Sequence, residues 1–281
     1  MLDLIIPASS ALSKIQAECL HRDGHQVWKT VTIHQFPQGV EVFIDQAKST
    51  WSDGANFEDG KEFTERGEGD HERSKQVSAR RAKTQVRRRC KMIQADCMMT
   101  LTYRENMKDE KRVQADFKAF RARLSTLGPF AYVATLEPQK RGAIHVHIAC
   151  QQFPAFLRNE RGVRVKSYAL ISSMWSRVVG RGNGNVNFTK PRGRNSSHRI
   201  ASYIAKYVSK ALEGAVFNAK SYWSSRGIVM PKPIKRWLAG DADMWDIVAS
   251  LGREFLAAGY SDIAQYSSSV GQFHWFAASK P

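Results

Sequence analysis

The sequence contains no run of apolar residues long enough to cross a membrane. Nowhere in its 281 residues does such a run approach the roughly 18 residues that a transmembrane helix requires. Its first ten residues, MLDLIIPASS, also lack the positively charged start of a secretory signal. These absences exclude the integral membrane class and lead us to expect a cytoplasmic protein without a membrane partner.

Cysteine is scarce, and the motif of nucleotide-driven motors is missing. The four cysteines show no CxxC spacing, and they are Cys19, Cys90, Cys97 and Cys150. This pattern is typical of a reduced intracellular protein rather than of a disulfide framework. The sequence also has no GxxxxGK(S/T) motif, which excludes a P-loop helicase or motor within it.

Acidic side chains are too few to balance the basic ones. The chain has 43 lysines and arginines against 26 aspartates and glutamates, which gives a formal net charge of +17. Such a surplus favours nucleic acid as the partner, ahead of anionic membranes or acidic proteins. Hydrophobic residues make up 42% of the chain, enough for the core of one large domain with a smaller appendage.

Charge changes sign along the first third of the chain. Residues 27–45 alternate as a small hairpin, and residues 53–72 carry eight acidic side chains, which is typical of a linker. Residues 73–91 then carry nine basic side chains and no acid, on helix-forming sequence with a thin apolar face. This segment is either a solvated helix or an arm that contacts DNA phosphates. As an arm, it would bind DNA through Arg80, Arg81, Arg87, Arg88 and Arg89.

From about residue 95 onward, strand patterns alternate with helix patterns. Strands are predicted at 96–103, 130–137 and 143–150, with a further one in VNFTK, and helices at 113–128, 166–180 and 197–212. The tight connection PQKRG makes the second and third strands a hairpin, which requires antiparallel pairing. We therefore predict an α+β fold whose central sheet is antiparallel, with helices packed on one face.

Two histidines stand one residue apart in the apolar strand GAIHVHIAC. Side chains at i and i+2 share one face of a strand, so His145 and His147 point away from the face that carries the alternating isoleucines and valine. Parity puts Glu137 of the preceding strand on a face that antiparallel pairing can bring beside them. Two imidazoles and a carboxylate suit a divalent metal. The alternative is a pair of exposed histidines with a solvated glutamate.

The helix at 197–212 divides into two faces when its residues are projected at 3.6 per turn. One stripe is apolar and consists of Ala201, Ile204, Ala205, Val208 and Leu212. The opposite stripe is basic and consists of Arg199, Tyr203, Lys206 and Lys210, with Tyr207 at its edge. The two tyrosines are either nucleophiles or aromatic residues that cover the margin of the core.

These residue types suit the transesterification of a phosphodiester. A tyrosine oxygen can attack phosphorus and hold the DNA end covalently. A phenol with an ordinary pKa of about 10 needs assistance at neutral pH. A divalent metal can orient the phosphate and withdraw charge from it, and a lysine one turn away can lower the pKa of the phenol.

Three motifs resemble those of the HUH endonucleases, in the same order along the chain. MMTLTYREN (98–106) is similar to the first strand motif of that superfamily, LEPQKRGAIHVHI (136–148) to its metal motif, and YIAKYVSK (203–210) to its two-tyrosine nucleophile motif. SYWSSRGI (221–228) is also similar to family sequences. The resemblance covers about half of the chain and is to the rolling-circle replication initiators of small plasmids and single-stranded DNA phages.

The resemblance implies a metal-dependent enzyme that nicks and rejoins single-stranded DNA at a replication origin through a 5′-phosphotyrosine intermediate. By position, the ligands of Mn²⁺ or Mg²⁺ would be His145, His147 and Glu137, the nucleophiles Tyr203 and Tyr207, and the supporting catalytic residue Lys206. We expect Lys210 to contact the DNA. The resemblance also implies a central antiparallel sheet flanked by helices. The partners would be a separate host helicase and DNA polymerase in a bacterial cell.

We predict three segments along the chain. They are an N-terminal extension over 1–92, an endonuclease domain over 93–230 and a C-terminal helical extension over 231–281. A relaxase or transposase of the same superfamily is an alternative function, and so is a metal-dependent hydrolase that uses water as its nucleophile. A non-catalytic DNA- or RNA-binding protein is the alternative from another class. Covalent attachment to DNA distinguishes the tyrosine enzyme from a binding protein.

Overall fold

The structure is a computed structural model that describes residues 21–22, 25–51, 71–190, 196–213, 222–239, 243–267 and 273–280. The chain forms two compact units. The terminal unit combines Met1–Glu65 with Pro231–Pro281, and the central unit is Arg66–Met230.

Thirteen strands run through the described residues. In the terminal unit they are β1 (His21–Arg22), β2 (His25–Phe36), β3 (Gly39–Trp51), β11 (Ile234–Ala239), β12 (Asp262–Ser267) and β13 (Phe273–Ser279). In the central unit they are β4 (Cys97–Tyr103), β5 (Tyr132–Pro138), β6 (Ile144–Cys150), β7 (Phe156–Arg158), β8 (Arg164–Lys166), β9 (Gly184–Thr189) and β10 (Trp223–Ser224).

Five α-helices complete the described part of the fold. They are α1 (His71–Met92), α2 (Glu110–Leu124), α3 (Ser167–Val179), α4 (Ser196–Glu213) and α5 (Met244–Ala257), with a short 3₁₀ turn at Ser125–Leu127. None of these helices, within the residues that the structure describes, is both long enough and apolar enough to cross a membrane.

The central unit is built on a five-stranded sheet. Its strand order is β10-β5-β6-β4-β9, and each neighbouring pair is antiparallel. The predicted α+β fold with a central antiparallel sheet flanked by helices is therefore confirmed. A separate hairpin of β7 and β8 was not predicted from the sequence, because strands of three residues are too short to show a period.

Helices cover both faces of the central sheet. Helices α2 and α3 pack on one face, where their core includes Phe120, Trp175 and Ile148. Helices α1 and α4 pack on the other face, where Val133 and Ala149 of the strands are fully buried. The prediction of helices on one face only was wrong. The second face alternates small apolar residues with polar ones, so its strands read as half exposed.

Local signals explain where the central helices begin and end. Asp109 precedes α2 and accepts a hydrogen bond from the backbone N–H of Arg112 at 3.1 Å, which caps the helix three residues before the predicted start. Gly128 follows the 3₁₀ turn with φ of 127°, and Gly180 follows α3 with φ of 96°. Both glycines stop their helices in a conformation that other residues rarely adopt.

Long-range pairing makes the terminal unit one sheet drawn from both ends of the chain. The predicted hairpin is β2 and β3, and it pairs with β11 on one side and with β13 on the other. Helix α5, which the sequence also predicts, packs Ile247, Leu251 and Phe255 into the core of this unit. The acidic segment at 53–70 lies outside the described residues.

The division of the chain differs from the predicted one at two boundaries. Helix α1 belongs to the central unit rather than to an N-terminal extension, because Val86 and Cys90 are fully buried in the core that it shares with α4. The segment after residue 230 contributes three strands as well as a helix, so it completes a sheet with the N-terminal hairpin instead of forming a helical extension.

Gly184 gives a stability test of the central core. A Cβ at this position would lie 2.9 Å from both the carbonyl oxygen of Thr102 and a methyl group of Val179, and it would overlap the indole of Trp175. That indole is fully buried and donates from Nε1 to the same Thr102 carbonyl at 3.1 Å. We expect Gly184→Ala to lower the free energy of unfolding by about 1–3 kcal/mol, measured by urea denaturation. Gly252→Ala, where a Cβ meets nothing within 4 Å, is the control and should leave stability unchanged or raise it.

Candidate metal and nucleophile site

Strands β5 and β6 bring a carboxylate beside two imidazoles. In their antiparallel register, Glu137 lies opposite His145, and Thr135 lies opposite His147. Glu137, His145 and His147 each offer one ligand atom, and the three atoms lie within 4.8 Å of one another. The three predicted ligand residues therefore form one cluster, on the sheet face that α1 and α4 cover.

Both ring nitrogens of His147 have polar partners. Nε2 lies 2.6 Å from a carboxylate oxygen of Glu137, and Nδ1 lies 3.1 Å from the Thr100 hydroxyl on the neighbouring strand β4. With the imidazole donating from Nε2 to the carboxylate, the Thr100 hydroxyl donates to Nδ1. The side chains of His147 and Glu137 are only 7% and 13% exposed. Their contact is thus shielded from water, which strengthens it.

His145 is held from the turn that joins the two strands. The side-chain amide of Gln139 donates from Nε2 to Nδ1 of His145 at 3.1 Å. Burial lowers the pKa of His145 below 6.5, the nearby Glu137 carboxylate raises it in part, and the Arg141 guanidinium lowers it again. The shift favours the neutral imidazole, which is the form that binds metals.

Aromatic rings connect this cluster to helix α4. The ring of Tyr207 stacks on that of His147, with centroids 4.0 Å apart and an interplanar angle of 11°. Tyr203 packs edge-on against Tyr207, with centroids 5.1 Å apart. Tyr207 is buried, whereas Tyr203 is 45% exposed. The three rings thus form a continuous row from the cluster to the surface.

The two predicted faces of α4 are present in the structure. The apolar residues Ala201, Ile204, Ala205 and Val208 are buried, and Arg199, Tyr203 and Lys206 are exposed. The side chains of Lys210 and Leu212 lie outside the described residues. The expectation that both phenols point away from the core was wrong for Tyr207, because the apolar margin of the helix extends as far as the imidazole of His147.

Its surroundings keep Tyr207 protonated at neutral pH. Burial raises the pKa of this phenol well above its ordinary value, and so do its hydrogen bond to Tyr203 and the charge of Glu137. A buried phenol that donates a hydrogen bond loses its proton at a higher cost than one in water. Of the two tyrosines, Tyr203 is therefore the more accessible to a ligand in solution.

The arginines of α1 differ in exposure. Arg80 and Arg81 are exposed, whereas Arg87, Arg88 and Arg89 are partly buried along the part of the helix that packs into the core. The first pair is placed to contact a ligand in solution. The other three flank the packed segment around Val86, so they cover apolar surface as well as carrying charge.

Two residues of the cluster were missed by sequence reasoning. Thr100 was assigned to a face of its strand, but its pairing with His147 depends on the register of β4 against β6, which the sequence alone does not specify. Gln139 lies in a turn, where no periodic pattern indicates the direction of a side chain. Its position two residues after Glu137, on the same parity, is the one available signal.

Comparison with known proteins places the cluster within a segment related to replication proteins. The sequence model of the replication-associated protein ORF2 family matches residues 96–212, from β4 through most of α4. The Phasyl DNA replicon protein arp of Escherichia coli is 28% identical over 125 residues, which are 41% of this chain and 43% of that protein. The chain thus spans less than half the length of this relative. No solved structure matches the chain.

The titration of His145 tests the electrostatics of the cluster. In the metal-free protein we expect Glu137→Gln to lower the pKa of His145 further, since it removes the charge that favours the imidazolium. Arg141→Gln should raise that pKa, since it removes a neighbouring cation. Two-dimensional NMR of the imidazole nitrogens measures both shifts. Shifts of the same sign in the two variants would contradict the geometry described above.

Proposed function

We propose that this chain initiates DNA replication by nicking and rejoining single-stranded DNA at an origin, with a tyrosine as the nucleophile. The observation that carries the proposal is the row of rings from His147 through Tyr207 to Tyr203, which puts two phenols beside a cluster of two imidazoles and a carboxylate. The family match over 96–212 includes every member of this arrangement and supports a role in replication initiation.

Tyr203 is the first nucleophile in this proposal. Its oxygen forms a bond to the scissile phosphorus and loses its proton to water, while the bond from phosphorus to the 3′ oxygen breaks and that oxygen takes up a proton. The products are a 5′-phosphotyrosine and a free 3′-hydroxyl that can prime synthesis. Lys206, exposed on the same helix, stabilises the phenolate and the charge of the transition state.

Tyr207 is the second nucleophile. It acts after one round of synthesis, when a second strand must be cleaved and the first one rejoined. Its hydroxyl is hydrogen-bonded to that of Tyr203, so the two oxygens can reach one phosphate in turn. Rejoining reverses the first step: the 3′-hydroxyl attacks the phosphotyrosine and the tyrosine oxygen leaves.

The cluster is suited to a divalent cation, Mn²⁺ or Mg²⁺. Two imidazole nitrogens and one carboxylate oxygen are a donor set for such ions, and Glu137, His145 and His147 would hold the ion. A bound cation would orient the scissile phosphate and withdraw charge from it. Thr100 and Gln139 fix the two imidazoles through their other nitrogens, as partners of metal ligands do elsewhere.

Single-stranded DNA at the origin is the proposed substrate. Arg80, Arg81 and Lys210 are proposed to contact its phosphates, with smaller contributions from Arg87, Arg88 and Arg89. Because the sequence has no P-loop motif, unwinding and synthesis are assigned to a host helicase and DNA polymerase.

Tyrosine variants test the nucleophile. With a random pool of 3′-labelled single-stranded oligonucleotides and Mn²⁺, the full chain should form a covalent adduct that is visible on a denaturing gel and absent with chelator. The label must be at the 3′ end because the tyrosine retains the downstream fragment. Tyr203→Phe should lower the rate of adduct formation by at least about 100-fold. Tyr207→Phe should keep the first adduct and lose the transfer to a second strand.

The exposed Tyr168 on α3 provides the matched control, and Tyr168→Phe should form the adduct at the normal rate. An adduct that persists in the double variant of Tyr203 and Tyr207 would overturn the proposal. Metal-dependent cleavage without an adduct would identify water as the nucleophile. Salt-sensitive binding with neither product would identify a binding protein.

Metal binding by the cluster can be measured without DNA. Saturating Mn²⁺ should raise the midpoint of thermal unfolding, because an ion at 100 times its Kd adds about 2.7 kcal/mol to the folded state. His147→Ala and Glu137→Ala should abolish this increase, since each removes a ligand. The control is Glu160→Gln, which removes an exposed carboxylate outside the cluster. An equal increase in all four proteins would show that the ion binds elsewhere.

A further inference from the structure

A groove lies between helix α2 and the β10 edge of the central sheet. Its volume is about 400 Å³. The groove is lined by three cations and three aromatic rings, which are Lys111, Lys118, Arg121, Phe117, Tyr132 and Trp223. The aromatic residues belong to the core under α2, on the sheet face opposite to the one that carries His147 and Tyr207. The groove is therefore distinct from the candidate metal and nucleophile site.

The charge on the walls of the groove is of one sign. Lys111 and Lys118 are exposed and lie two turns apart on the same side of α2. Arg121 follows one turn later, and its guanidinium donates to the hydroxyl of Tyr132 at 3.2 Å, which fixes its position. No acidic residue lines the groove among the described residues. Such a surface suits an anionic ligand.

The floor of the groove is an aromatic platform held by the sheet. Trp223 lies opposite Ala134 in the pairing of β10 with β5, and its ring centroid is 6.0 Å from that of Phe117. Ser225 anchors this strand: its backbone N–H donates to the carbonyl of Tyr132, and its hydroxyl accepts from the Tyr132 N–H. Trp223 is only partly buried, so part of its indole is open to a ligand.

We propose that this groove binds single-stranded DNA, with a base stacked on Trp223 and the neighbouring phosphates on Lys111, Lys118 and Arg121. A base offers its flat face to an indole only when it is unpaired, which favours a single strand over a duplex. The cations alone would also accept an acidic peptide, but the aromatic platform beside them suits a base. The identity of the ligand as DNA rests on the proposed function. The groove extends the substrate-binding surface beyond the nucleophiles.

Salt dependence tests the phosphate contacts. Binding of fluorescein-labelled oligo(dT) to the full chain is measured by anisotropy with chelator present, so that no cleavage takes place. Each lost phosphate contact should lower the slope of log affinity against log salt by about 0.7, so Lys111→Gln with Lys118→Gln should lower it by about 1.4. Arg123→Gln removes an exposed cation of the same helix outside the groove and should leave the slope unchanged.

Aromatic variants test the stacking. Trp223→Ala should weaken binding by about tenfold, and Trp223→Phe should restore most of that loss, because the phenyl ring still stacks. Trp245→Ala, which removes an exposed tryptophan of the terminal unit, is the control. Trp223 also packs on the core, so circular dichroism must show that each variant is folded. The lysine variants, which touch no core residue, provide a test that is independent of folding.

The outcomes separate this proposal from the nicking proposal. Unchanged affinity and slope in the lysine variants would overturn the groove, whatever the nicking assay shows. Weaker binding in these variants without any covalent adduct in the wild type would support the groove and overturn the nicking. Equal losses for oligo(dT) and for duplex DNA, or displacement by poly-glutamate with no effect of Trp223→Ala, would also overturn the assignment to a single strand.

Discussion

The imidazole of His147 is the point through which the elements of the candidate site are connected. It receives contacts from three sides: the Glu137 carboxylate of β5, the Thr100 hydroxyl of β4 and the ring of Tyr207 from α4. Because strand parity fixes the first two contacts, a shift of one residue in the register would point the imidazole into the opposite core. The pairing of β6 with both neighbours therefore sets the geometry on which the metal ligands and the nucleophiles depend.

Covering the second face of the sheet has two opposite electrostatic effects. Helices α1 and α4 exclude water from the cluster, so the contact of His147 with Glu137 is stronger than it would be at the surface. The same burial raises the pKa of Tyr207 and thereby makes this phenol harder to ionise. The row of rings reconciles the two effects, since it extends from the shielded cluster to Tyr203, which water and DNA can reach.

Periodicity was enough to predict much of the site. The alternation in GAIHVHIAC placed both histidines on one face, and the 3.6-residue projection of the helix at 197–212 separated Tyr203 from the buried stripe. Neither pattern specifies what lies across the gap between two elements, which is why the stacking of Tyr207 on His147 and the bond from Thr100 required the structure. The terminal unit escaped prediction for a similar reason, since β2 pairs with β11, which lies beyond the whole central unit in the chain.

The edge strand β10 links the candidate site to the proposed groove. Adjacent residues of a strand point to opposite faces, and here Tyr222 packs against the core that contains Tyr207, while Trp223 packs against the core under α2. Because β10 is the outermost strand, a single DNA strand that contacts both surfaces must pass around it. Binding around an edge requires a flexible strand with unstacked bases, which a stiff duplex does not offer. A substrate that is single-stranded on both sides of the scissile phosphate follows from this placement.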